Sequence, residues 1–307
     1  MKVNKFKIIV FGGDGFCGWP TVLRLISEKN SVLIIDNLSR RSIDKKLSTN
    51  SLSKIYSIND RVKEANKLFG NLKFIKLDIS TEYEKLKKIF KKFKPDAVVH
   101  FAEQRSAPYS MINDTARKYT IENNVSTTHN ICSCIVETNQ NIHLVHLGTM
   151  GVYGYSKQFG KIPEGYLNIK IQETNKKTNI LYPSNPGSIY HMTKCLDQII
   201  FQYYNKNWGL KITDLHQGIV WGTETKETRA STKLTNRFDY DGIYGTVLNR
   251  FIVQAANKSE LTVYGIGGQK RAFINISDTA ECVKLAIYNN KFDKNKVRIF
   301  NQVSEVK

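Results

Sequence analysis

The sequence predicts a doubly wound α/β fold built on a parallel sheet, and three observations carry that reading. Apolar runs of five or six residues alternate with segments of helical period, the pattern of strands buried on both faces by crossover helices. The first run ends in a glycine turn, FGGDGFCGWP, that leads directly into a helical segment. With 307 residues and 41% hydrophobic content, the chain is long enough to bury one large core and carry a smaller lobe on it.

Taken in order, FKIIVFG forms the first strand, residues 16–28 a helix, SVLIID the second strand, residues 51–68 a helix, and LKFIKLD the third strand. EKLKKIFKKFKPD places Leu86, Ile89, Phe90 and Phe93 on one helical face and its lysines on the rest, an amphipathic helix with a solvated side. DAVVHFA is the fourth strand, residues 115–138 a long helix, and IHLVHLG the fifth strand. After residue 150 the alternation loosens. Residues 155–187 are polar with turn residues, a helix and strand follow over 188–219, and 222–245 are irregular. A helix at 245–257, a short strand at LTVYG and a helix–strand pair near 277–302 complete the expected elements.

Composition narrows the partners. The net charge of +19 permits anionic ligands, but the lysines are diffuse and the helix that concentrates them has a solvated face, so nucleic acid is not expected. No apolar run approaches the ~20 residues of a membrane span. The first apolar segment begins almost at Met1, so no targeting segment is expected within the chain as given, and the expected location is the cytoplasm, or, for a chain already processed, the plastid stroma of a photosynthetic eukaryote. Five scattered cysteines (Cys17, Cys132, Cys134, Cys195, Cys282) fit reduced thiols. Cys132 and Cys134 point to different helix faces, and His143 and His146 lack a matching ligand cluster, so no metal is expected.

Gly12, Gly15 and Gly18 form GxxGxxG between the first strand and the first helix. Such a turn admits the backbone of a diphosphate and points a helix N-terminus at it. The second strand ends in Asp36, 18 residues after Gly18, placed to accept hydrogen bonds from an adenosine ribose with a free 2′-hydroxyl. NAD is therefore expected over NADP, although Arg40 and Arg41 are the residue type that holds a 2′-phosphate. The division expected is a Rossmann-like NAD-binding domain over residues 1–220 and a mixed substrate-binding lobe over 221–307.

Tyr190 and Lys194 form YxxxK in a helical segment, which stacks them one turn apart on one face. A neighbouring ammonium favours the phenolate of a tyrosine whose unperturbed pKa is ~10, making it a general base for a sugar hydroxyl. Thr149, at the end of the fifth strand, offers a hydroxyl to the same oxygen. The combination points to hydride transfer between NAD and a secondary alcohol.

GxxGxxG near the N-terminus, with Thr149, Tyr190 and Lys194, is similar to the extended short-chain dehydrogenase/reductase family. Within it, GGDGFCGW, DNLSRR, HFAEQRSAPYSM, HLGTMGVYG, DLHQGIVWG, NRFDYDGIYGTVLNRF and LTVYGIGGQKRAFINISD resemble the UDP-sulfoquinovose synthase branch along nearly the whole chain. The resemblance implies conversion of UDP-glucose and sulfite to UDP-sulfoquinovose. Tyr190 would deprotonate the C4 hydroxyl as hydride passes to NAD, water would leave across C5–C6 of the 4-ketone, sulfite would add at C6, and the hydride would return to C4. It further implies that Gly15, Phe16 and Cys17 line the diphosphate turn, that Asp36, Asn37, Leu38, Ser39 and Arg40 surround the adenosine ribose, and that Asp78 and Ile79 face the adenine. Arg105 would face the substrate, Asn123 the cofactor and Gln217 both, while Arg250 and Arg271 would pair with the UDP diphosphate or the sulfonate, where the guanidinium fork suits oxyanions. A homodimer through the helices at 115–138 and 188–206 is expected, as is sulfite taken up free or from a partner enzyme.

Met150 and Gly151 follow Thr149 where a 4,6-dehydratase carries Asp–Glu, which argues against that rival, but Val152 stands where the branch usually has glutamate. Either His191 beside the base handles the elimination proton, or the chemistry is that of a UDP-sugar 4-epimerase. The family also runs on beyond NQVSEVK. A non-catalytic NAD- or RNA-binding relative is the reading from another class, disfavoured by intact Thr149, Tyr190 and Lys194.

Overall fold

The computed structural model describes residues 5–154, 162–263, 267–289, 291–293 and 296–306. β1 (Lys7–Phe11), α1 (Gly18–Ser27), β2 (Ser31–Asp36), α2 (Ser39–Leu47), α3 (Ile58–Leu68), β3 (Leu72–Lys76), α4 (Tyr83–Phe93), β4 (Ala97–His100), α5 (Asp114–Thr138) and β5 (His143–Thr149) follow one another as an alternating series. A hairpin, β6 (Tyr166–Lys170) and β7 (Lys177–Leu181), then precedes α6 (Ile189–Trp208), β8 (Lys211–Gln217), β9 (Ile219–Trp221), α7 (Val247–Ala256), β10 (Ala272–Asn275), α8 (Ile276–Tyr288), β11 (Arg298–Gln302) and β12 (Glu305–Val306).

The main sheet has seven strands in the order β11-β8-β5-β4-β1-β2-β3, and every one of its ladders is parallel. Alternation along each strand divides the core in two. Ile9, Phe11, Leu33 and Ile35 face a cluster with Phe90, Ile131, Ile135 and Phe201, so α4, α5 and α6 cover one face. Ile8, Val10, Val32 and Ile34 face the opposite cluster with Trp19, Leu23, Ile58, Val283 and Ile287, so α1, α3 and α8 cover the other. The chain reverses direction across the sheet between β1 and β4, and in such sheets ligands sit at the strands' C-terminal ends beside that switch. No described helix is long and apolar enough to cross a membrane.

Several expectations are corrected. The helix expected over 51–68 begins at Ile58, where the Ser57 hydroxyl caps the Asp60 amide at 3.1 Å. The sequence reading missed α2, whose single buried residue, Ile43, leaves no periodicity to find. Residues 166–181 pair as an antiparallel hairpin rather than remaining irregular. Leu261, Thr262 and Val263 of the expected LTVYG strand carry no strand, and the rest of that stretch lies outside the described residues. β10 pairs with β9 in a small second sheet instead. The boundary at residue 220 does not separate the layers, because β11 hydrogen-bonds β8 and α8 contributes Val283 and Ile287 to the core shared with α1.

Candidate active site

The glycine turn is built so that no side chain fits inside it. Gly12 has φ +75°, and a Cβ there would lie 2.7 Å from the Phe101 carbonyl. A Cβ on Gly18 would lie 2.1 Å from Gly12 O, and the Gly15 amide donates to that same oxygen at 3.1 Å. The turn therefore closes on itself and opens α1, whose N-terminus at Cys17 has no side-chain cap. Trp19 and Pro20 occupy the first turn of α1. Proline is tolerated there because its missing N–H has no intrahelical acceptor, and Trp19 is fully buried with its indole N–H on Leu234 O at 2.8 Å.

Asp36 ends β2 beside the turn. Its carboxylate accepts from the Asp14 amide at 3.0 Å and the Leu38 amide at 2.7 Å. Burial, and then the neighbouring Asp14 charge, raise its pKa to about 6. Both arginines nearby are engaged. Arg41 forms a bidentate pair with Asp14 at 2.6 and 2.9 Å. Arg40 pairs with Asp44 and with Asp239 at 3.2 Å, and its guanidinium lies 3.5 Å from the centre of the Tyr244 ring.

These groups open into one cavity of about 560 Å³ that runs along the C-terminal edge of the sheet, within the range of small-molecule sites. Gly12, Gly15, Phe16, Cys17 and Gly18 line one wall, with Asp36, Asn37, Leu38, Ser39 and Arg40, and with Asp78 and Ile79 beyond them. The other end is lined by Arg105, Asn123, Thr149, Tyr190, His191, Lys194, Gln217 and Arg271. Of the site residues expected from the sequence, Arg250 alone is not part of the lining. It sits on α7, while Thr246 and Val247 one turn earlier form the wall. The residues present fit a dinucleotide: a side-chain-free turn, an uncapped helix start, and a carboxyl at the end of the second strand.

At the reacting end, Thr149 and Gln217 are register partners on adjacent strands. Thr149 Oγ1 accepts from the Gly151 amide at 3.1 Å. The Gln217 side chain is held by Gln302 and by the Thr279 hydroxyl at 2.9 Å. α6 begins at a Ser188 cap and carries Tyr190, His191 and Lys194 in its first two turns. Burial raises the Tyr190 phenol to about 12, with Lys194 pulling against it. Lys194 keeps its proton above the ordinary lysine range, because Glu103, Tyr190 and Asp197 outweigh the cost of burial.

His191 packs against Gly151. Its Nδ1 lies 3.0 Å from Ser188 Oγ, and a Cβ on Gly151 would lie 2.3 Å from its ring. The imidazole thus covers the position where a side chain at 151 would stand, and burial lowers its proton affinity so that it is neutral near pH 7. Val152 is 2% exposed, clusters with Tyr153, Tyr182 and Cys195, and does not line the cavity.

The sequence reading missed Glu103, His146 and Asp197, which surround Lys194, Asp214, which holds His146, and Asp14, which ties Arg41. Glu103 lies inside the EQRSAPYSM stretch, the one signal that pointed to it. His146 was taken to lack a ligand cluster. It does have neighbours of ligating type, since His100, Glu103 and His146 bring donor atoms within 4.8 Å of one another. The Lys194 ammonium packs against two of the three, at 2.7 and 2.9 Å, and supplies the cationic charge at that point.

Strand order, glycine turn and cavity define a dinucleotide-binding α/β protein of the short-chain dehydrogenase type. The chain belongs to the NAD dependent epimerase/dehydratase family, whose model matches residues 8–301. It is 45% identical over 299 residues to "UDP-sulfoquinovose synthase, chloroplastic" of Spinacia oleracea, covering 97% of this chain and 61% of that protein. It is 40% identical over 301 residues to UDP-sulfoquinovose synthase of Sulfolobus acidocaldarius, covering 98% of this chain and 75% of that one. Among solved structures, a point mutant of UDP-glucuronic acid 4-epimerase from Bacillus cereus superposes with a TM-score of 0.71 at 20% identity, covering 98% of this chain and 79% of that one. UDP-glucose 4-epimerase from Thermotoga maritima gives 0.69 at 22% identity, covering 98% and 78%. At these identities the structures speak for the fold.

Proposed function

We propose that the protein converts UDP-glucose and sulfite to UDP-sulfoquinovose with NAD as a recycled cofactor. The observation that carries this reading is the single cavity in which a glycine turn and Asp36 share one volume with Thr149, Tyr190, His191 and Lys194. The 40% identity to a UDP-sulfoquinovose synthase across 98% of the chain names the sugar chemistry. Bound NAD supplies the hydride acceptor and donor for C4 of the sugar.

Gly12, Gly15 and Gly18 admit the diphosphate, Asp36 accepts from the adenosine ribose, and Asp78 and Ile79 flank the adenine. Tyr190 takes the proton of the C4 hydroxyl while Thr149 holds that oxygen, and the same proton returns to the oxygen at the end. The 4-ketone acidifies the C5 hydrogen. His191, neutral and covering Gly151, takes that proton and passes it to the C6 hydroxyl, which leaves as water; when sulfite bonds to C6, the proton that bisulfite carries in is delivered through His191 to C5. Arg105 and Arg271 face the anionic groups of the substrate, while Arg250 lies outside the cavity lining. The lobe that receives the sugar nucleotide comprises residues 222–275, since α8 and β11 belong to the nucleotide-binding layer.

The working unit is a homodimer paired through α5 and α6. Ile199 and Tyr203, one turn apart on α6, are 59% and 56% exposed and support this. Five free thiols fit a reducing compartment, cytosol or plastid stroma. Sulfite reaches the site free or from a donating enzyme.

Incubation with UDP-glucose, NAD and sulfite, followed by mass spectrometry, tests the reading. A sulfonated sugar nucleotide is the expected product. UDP-galactose with no sulfonate establishes a 4-epimerase instead, and absence of turnover in NAD-loaded protein rejects both.

A further inference from the structure

Lys194 is enclosed by ionisable side chains to which the proposed reaction assigns no role. Its Nζ lies 2.7 Å from Glu103 Oε2, 2.9 Å from Leu147 O and 2.9 Å from His146 Nε2, with Asp197 Oδ2 at 3.9 Å. The contacts to Leu147 O and His146 Nε2 are hydrogen bonds, and the contact to Glu103 is an ion pair. Glu103 and Lys194 are 3% and 5% exposed, and Asp197 and His146 are fully buried, so these charges must be balanced among themselves.

The groups facing Lys194 come from every element around it. The end of β4 and the loop after it supply His100 and Glu103, whose Oε1 lies 3.2 Å from His100 Nε2 and 3.0 Å from His146 Nε2. β5 supplies His146. β8 supplies Asp214, held between His146 Nδ1 at 2.8 Å and His216 Nε2 at 2.9 Å. α6 itself supplies Tyr190 and Asp197, α5 supplies Thr128 against Asp197, and Arg105 acts on Tyr190 from the loop. Asp214 stands between two imidazoles, so both turn an N–H toward it. That fixes a proton on His146 Nδ1 and leaves Nε2 to accept from Lys194 when the ring is neutral, or to donate to Glu103 when it is charged. In both states Glu103 is the nearest anion to the ammonium among the described residues.

We propose that Glu103 is a positioning residue that anchors the Lys194 ammonium one helical turn from Tyr190 and restrains the phenolate that the ammonium favours. The proposal rests on Tyr190 acting as the base. The restraint has a chemical purpose. A reaction that removes the C4 hydroxyl proton and later returns it needs a tyrosine that gives the proton back as readily as it takes it. An ammonium alone would hold Tyr190 toward phenolate, whereas a carboxylate on the same ammonium offsets that field. Consistent with this, burial and Glu103 both raise the Tyr190 phenol while Lys194 lowers it.

The test uses NAD-loaded protein labelled with ¹³C at lysine Cε. The Lys194 signal is assigned by its loss in Lys194→Met. In wild type it stays charged above the ordinary lysine range of ~10.4. In Glu103→Gln it deprotonates at a pH lower by ~1 or more, the size expected on losing a close opposite charge. In the same variant the acid limb of the kcat/KM profile for UDP-glucose moves down in pH while KM changes less than ~2-fold, because the loss is in the chemical step rather than in binding. Glu103→Asp restores part of both. A Lys194 that titrates in the ordinary range in wild type overturns the proposal, whether or not the variant folds. An unchanged titration in Glu103→Gln, or a rate profile that stays in place while the lysine shifts, overturns it as well. If wild type turns over no UDP-glucose, the reaction assigned above fails and the lysine titration still decides the anchoring.

Discussion

Asp14 shows how much one side chain in the glycine turn controls. It holds Arg41 by two bonds and also accepts from Arg61 Nη1 at 2.5 Å, a fully buried guanidinium 3.9 Å from the Trp19 ring. Asp14→Asn leaves Arg61 buried without a carboxylate and should cost about 3–5 kcal/mol in urea unfolding. It also releases Arg41 beside the ribose position, so the NADPH affinity should rise relative to NADH in a fluorescence titration. Asp36 gives a pH prediction whose two signs differ. Its folded pKa of about 6 exceeds the unfolded ~3.9, so the folded chain binds more protons and this group adds stability as pH falls from 6 toward 4. The same protonation removes the carboxylate that the proposed function assigns to the ribose, so NAD affinity should weaken as pH drops through 6, read by calorimetry. Tyr190→Phe should lower kcat by ~10²–10⁴ with NAD binding unchanged. Asp36, Thr149, Tyr190 and Lys194 were legible because each lies at a motif position next to a recognisable strand end or helix. Glu103 and His146 were not, because His146 meets Lys194 across 48 residues and Asp214 across 68, and no local period records such a contact.

Elements were legible where burial is one-sided and periodic. The strands of the main sheet and the helices α1, α4 and α8 place apolar residues at regular spacing; α5 and α6 also stand near the positions expected, although much of their buried face is polar. α2 buries one residue, and no residue of the β6–β7 hairpin strands is buried, so neither writes a pattern. The first turn of α1 yields the sharpest element-scale prediction. Gly18→Ala puts a methyl 2.1 Å from a backbone oxygen, a contact that moves the turn rather than a flexible side chain. NAD binding should be lost in calorimetry while far-ultraviolet circular dichroism still shows the α/β signature. By contrast, Val152→Ala should lower stability by about 0.5–3 kcal/mol and leave the product unchanged by mass spectrometry, because that side chain packs away from the cavity.

At the scale of the whole molecule, the irregular stretch after β9 is what joins the two ends of the site. Asn236 Nδ2 donates to Phe16 O at 3.0 Å, Phe238 bonds residues 51 and 52 at 2.9 Å each, and the Ser106 hydroxyl donates to Ile243 O at 2.5 Å. Arg237, Ile243, Tyr244, Gly245 and Thr246 line the cavity. The sequence showed this stretch as irregular because its order comes from partners more than 100 residues away, not from a repeating pattern of its own. Its charge centre is Asp239, 3% exposed, which meets Arg105 at 2.8 Å, Arg40 at 3.2 Å and Arg237 at 3.5 Å. Those arginines hold the carboxyl below its ordinary range against the cost of burial. Arg40 and Arg105 both line the cavity, so Asp239 ties two of its lining residues together. Asp239→Asn keeps the shape and removes the charge, leaving three guanidinium groups to repel one another. NAD should then leave at least ~10-fold faster, equivalent to about 1.4 kcal/mol, when loaded protein is diluted into excess competing nucleotide. A variant that unfolds more easily yet releases NAD at the wild-type rate would show that the stretch supports the fold and does not retain the cofactor.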